Sequence, residues 1–128
     1  MTKRYVMLSF FTVCFLLMST LSYVDDNKAV ISSMSNIMLY LNYYFSDSEK
    51  KQLSKFISNK SLSGNVRTMT KTMTDLEHKA TDSDKKKLSV IIDDKSTSAD
   101  EKTLAMVIRD LDHKPSDADK QKLQEIAK

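Results

Sequence analysis

The chain of 128 residues contains one glycine, one proline, one cysteine and no tryptophan. Turn-rich β folds spend glycine and proline freely at their corners, so this scarcity favours an all-α chain. Its only cysteine, Cys14, lies within an apolar run. A lone thiol excludes an internal disulfide, and the rest of the chain has no thiolate to offer a zinc ion. Also missing are a glycine-rich phosphate loop and the Gly-x-Ser-x-Gly turn of a serine hydrolase. Neighbouring carboxylates such as Asp93 and Asp94 have the spacing of a solvated helix end. Neither an enzyme nor a cofactor is expected.

Charge of one sign is equally scarce. There are 20 basic residues against 17 acidic ones, and Lys3 and Arg4 belong to the extreme N-terminus, which leaves 18 against 17 elsewhere. Binding to nucleic acid needs a one-sided basic surface, so no nucleic-acid partner is expected.

What is present begins with a leader. Thr2, Lys3 and Arg4 precede Tyr5 to Val24, a stretch without a charged residue. About twenty such residues suffice for a signal peptide or a membrane-crossing helix. Cleavage separates the two fates: Thr20 and Ser22 would put small residues ahead of a cut before Tyr23. By the positive-inside rule either fate carries Asp25 onward to the far side of the membrane. Residues 1–24 are therefore read as a signal peptide or signal anchor and 25–128 as the working domain, in a bacterial periplasm or on the periplasmic face of the inner membrane.

Shifting the chain by 35 residues brings three stretches into register: Leu41 to Leu53, Leu76 to Leu88 and Leu111 to Leu123. The second and third share eight of thirteen residues, and the first and second share six. Met34, Met69 and Leu104 align upstream, as do Met38, Met73 and Ile108; Phe56, Ile91 and Ile126 align downstream. Such self-similarity marks a repeat. The units run over about 28–62, 63–97 and 98–128.

Each unit reads as two helices. The aligned apolar residues of the first recur at i, i+4 and i+7, one stripe of an α-helix. Ser46, Thr81 and Ser116 are placed to cap the second helices, with Glu49, Asp84 and Asp119 three positions on. Ser98 and Glu101 open a first helix in the same way. Pro115 stops the helix before it. The Thr-rich stretch 68–74 has weak helix propensity, but its methionines recur at four rather than two, which predicts helix. Asp82 with Asp84, and Asp117 with Asp119, lack the central glycine of a calcium loop and read as first-turn helix residues. In its period the chain resembles helix-hairpin repeat families such as the tetratricopeptide and pentatricopeptide repeats, a resemblance that implies architecture alone. A short solenoid and a compact bundle both satisfy the pattern, with the more polar third unit as the cap of a stacked array.

Unit one differs from its copies in ways the repeat does not require. Ile37 aligns with Thr72 and Val107, Leu39 with Thr74 and Arg109, and Tyr40 with Asp75 and Asp110. Tyr43 aligns with His78 and His113, and Tyr44 with Lys79 and Lys114. A neighbouring helix, the bilayer interface or another protein could cover these five residues. Ile37, Leu39, Tyr40, Tyr43 and Tyr44 are accordingly the candidate partner-binding residues. The expected function is a non-enzymatic module, an adaptor or inhibitor of an envelope or secreted protein. The alternative is a single-pass accessory subunit of a membrane complex, held through residues 5–24. A homo-oligomer fits either role. His78 and His113 share one repeat position; a shared metal or pH-sensing site is the functional reading, and a duplicated solvated face, with no metal, is the expectation.

Overall fold

The structure, a computed structural model, describes residues 26–128. The leader reading of residues 1–24 lies outside the described residues. Those described are all-helical, with six helices and no strand: α1 over 26–39, α2 (Asp47–Ser58), α3 (Gly64–Asp75), α4 (Asp82–Asp93), α5 (Ala99–Asp110) and α6 (Asp117–Ile126). None is long and apolar enough to cross a membrane.

Local chemistry sets these boundaries. The side chains of Ser46, Thr81 and Ser116 accept from the backbone N–H of Glu49, Asp84 and Asp119, filling donors that a helix start leaves free. At α2 the box is reciprocal, because the Ser46 N–H donates back to the Glu49 carboxylate at 2.7 Å. Ser63 and Ser98 cap α3 and α5. After α2 and α4, the side chains of Asn59 and Asp94 accept from the N–H of Ser61 and Ser96, closing Asx turns. The Thr-rich segment lies inside α3, where the Thr70 and Thr74 hydroxyls donate to the carbonyls four residues earlier.

Helices α1, α3 and α5 form the interior. Met34, Met38, Met69, Met73, Leu104 and Ile108 are fully buried. Ser35, Thr70 and Ala105, also without exposure, are small enough to let these helices approach closely. Across α1 and α3, the Thr70 hydroxyl meets the Met34 sulfur at 3.3 Å. The outer helices are more lightly held: Leu53 is the sole buried residue of α2 and Leu123 that of α6, while α4 buries Leu88 and Ile91.

The inner helices run in the same direction. Their N-terminal ends meet through Ser63 N–H to the Asn27 side chain at 2.9 Å and the Asn65 amide to the Thr97 hydroxyl at 3.2 Å. Their C-terminal ends lead into three loops that also meet, as described below. Helix α2 packs on α3 and α4 on α5, while the Ser32 hydroxyl of α1 donates to the Ala127 carbonyl just past α6 at 3.2 Å. The last helix thus touches the first, and two expectations change. The third unit is no solvated cap, since Leu104, Ala105, Val107 and Ile108 of α5 are as buried as their counterparts in α3. Ile37 is a core residue, because its position faces inward in every copy: Thr72 and Val107 are buried too.

Candidate binding surface at the loop pole

Leu41, Leu76 and Leu111 end the inner helices with their side chains buried, and four residues later Phe45, Ala80 and Pro115 are buried again. Each loop between them is pinned at both ends and must turn outward. At its apex stand Tyr43, His78 and His113. Tyr43 and His113 take positive φ values of 73° and 67°, a conformation that costs an L-residue about 1 to 2 kcal/mol. Contacts between the loops offset that cost. The Tyr43 N–H donates to the His113 carbonyl at 3.2 Å, and the His113 N–H donates to the His78 carbonyl at 2.9 Å. Residues from all three loops are thereby stitched at one pole.

The side chains follow the backbone. The His78 and His113 rings lie 5.0 Å apart between centroids, Tyr44 sits 5.0 Å from His78, and Tyr43 meets His113 edge-on at 5.6 Å. Tyr44 and His78 share a hydrogen bond of 3.1 Å between the hydroxyl and Nε2. His113 is oriented from its other side, with Nδ1 2.7 Å from the Asp112 carboxylate. His78 Nδ1 is buried beneath the cluster with no hydrogen-bond partner.

Of the five residues expected at a partner surface, three stand at this pole in the open. Tyr40 is 78% exposed, Tyr44 61% and Tyr43 50%, so among the described residues no helix covers them. Leu39 is half-buried against the core, and buried Ile37 is unavailable to a partner. The histidines were missed as part of the surface. Their shared repeat position was a signal for stacked loops, but reading it required knowing that the loops converge. Among the described residues no group of three or more His, Cys, Asp or Glu is placed to hold a metal ion.

At the rim, Arg109 grips Asp110 through two hydrogen bonds of 2.8 and 3.0 Å. That contact holds the Asp110 carboxyl below its usual range and raises the Arg109 guanidinium. Asp110 aligns with Tyr40, so the same position carries an ion pair in unit three and a bare phenol in unit one. Comparison with family models, curated proteins and solved structures finds no match to the chain.

Proposed function

We propose that this chain is a non-enzymatic interaction module, exported or membrane-anchored, in which three helix-hairpin copies close around one axis and offer an aromatic pole to another protein. A single observation carries the reading: Tyr40, Tyr43 and Tyr44 are all exposed, with Tyr43 in ring contact with His113 and Tyr44 with His78, at positions where the other copies hold Asp, His or Lys. Exposed tyrosines on a rigid base are effective anchors, since they bury much area for little conformational entropy. Caps, pinned loops and interloop hydrogen bonds supply the base.

Direction supports a protein over a lipid partner. Residue 26 and the tyrosine pole are at opposite ends of α1, whose 26–39 span rises about 20 Å at roughly 1.5 Å per residue. The tyrosine pole thus stands about one helix length from residue 26, the described residue nearest to 5–24 in sequence. The accessory-subunit reading differs only in an uncleaved leader and uses the same pole. The mass of the mature chain separates the two: loss of residues 1–22 favours the free exported protein, and retention of Met1 the anchored subunit.

A photo-crosslinking residue at position 44 of the full chain, expressed in its native envelope, tests the proposal. A discrete adduct is expected, and it should vanish when Tyr40→Asp is added. Absence of any adduct from position 44, while one forms from an α4 position such as Val90, would move the surface elsewhere.

A further inference from the structure

The charge around the aromatic pole specifies the partner further. The three loops with their flanking residues, 40–47, 75–82 and 110–117, hold seven carboxylates and two lysines, Lys79 and Lys114, all of them exposed. Asp110 is paired with Arg109 and feels Lys85 and Lys122, and Asp112 meets His113 Nδ1 at 2.7 Å, while the acids of the other two loops carry no ion pair among the described residues. Helix dipoles do not offset the imbalance, because three helix C-terminal ends and three N-terminal ends meet here and their end charges oppose one another. The tip is thus acidic on a chain whose overall formal charge is +3.

Resting on the interaction-module reading, we infer that the pole docks a basic protein segment, with arginine or lysine side chains laid across Tyr40, Tyr43 and Tyr44 and held by the surrounding carboxylates. The chemistry is matched on both counts. An aromatic face attracts a cation within about 6 Å of its centroid, and guanidinium stacks on it particularly well. Flanking acids such as Asp75 and Glu77 raise the local concentration of cations and would bind the same groups directly. Anionic lipid is disfavoured by the acidic tip and by the pole's separation from residue 26. A second copy of the chain would bring one acidic tip against another.

The test uses the full-length chain in nonionic detergent and two fluorescent peptides, nona-arginine and nona-glutamate, read by anisotropy. Nona-arginine should bind, nona-glutamate should not, and raising the salt tenfold should weaken binding. The decisive variant is Tyr40→Asp with Tyr44→Lys, which replaces two rings with unit-two residues and leaves net charge unchanged. It should weaken nona-arginine by about tenfold, the worth of one good cation–π contact. A second variant, Asp75→Asn with Glu77→Gln, retains every ring and should weaken binding severalfold. Equal affinity of the tyrosine variant, binding of nona-glutamate, or a patch that titrates with protein concentration as a dimer would each overturn the inference. If position 44 still crosslinks an envelope protein while nona-arginine fails to bind, the interaction module stands and its basic specificity falls.

Discussion

Leu53, Leu88 and Leu123 occupy one repeat position, and each is wholly buried where an outer helix meets the interior. Truncating any of them to alanine removes the same atoms and leaves a cavity, at a cost of about 3 to 5 kcal/mol for well-packed sites. For a domain of about this size, 3 kcal/mol corresponds to a fall in Tm of roughly 12 to 24 °C. Leu123→Ala is the informative variant, because Leu123 alone is buried in α6, at the end of the chain where fraying would be cheapest. Contact between α6 and α1 predicts that Leu123→Ala costs about as much as Leu53→Ala. Thermal unfolding of the full chain followed at 222 nm, with urea titration at 25 °C, gives both quantities. A cost below about 0.5 kcal/mol for Leu123→Ala, beside a full cost for Leu53→Ala, would refute this packing, since that is the range of surface substitutions.

Two further outcomes follow from the pole. His113→Val puts a β-branched residue at a φ of 67° and should destabilise the chain by about 1 to 2 kcal/mol more than His113→Asn, which tolerates that conformation; urea midpoints compare them. Acid sensitivity should be traceable to Asp110. Its carboxyl is held below the ordinary value by Arg109, so its contribution is present above the unfolded-state value of about 3.9 and is lost as pH falls through the folded one. Asp110→Asn should therefore flatten the decline in stability below about pH 4, and an unchanged slope would discount that contact.

Much of the helix pattern was legible because it is local. Caps lie within three residues of the donors they fill, so Ser46, Thr81, Ser98 and Ser116 could be placed from sequence, and the methionine spacing fixed the face of α3 despite its threonines. Ser63 escaped notice, lacking an acid three positions on. How the helix pairs assemble was not legible, because the stripe on α5 is compatible with an end position and with a central one. Ile37 was misjudged for a related reason: Thr72 looks polar in an alignment, yet it is buried beside methionines. Nor could the meeting of His78 with His113 be read, since it depends on positive φ values at residues that are not glycine.

Convergence of the three loops at one pole underlies both the binding surface and its proposed partner. Nuclear Overhauser effects on the full-length chain, with selectively labelled tyrosine and histidine rings, report it directly. We expect cross-peaks from Tyr43 to His113 and from Tyr44 to His78, pairs remote in sequence but with ring centroids 5.6 and 5.0 Å apart. Helical cross-peaks throughout 26–126 without either ring contact would contradict the convergence and leave the tyrosines on a different surface.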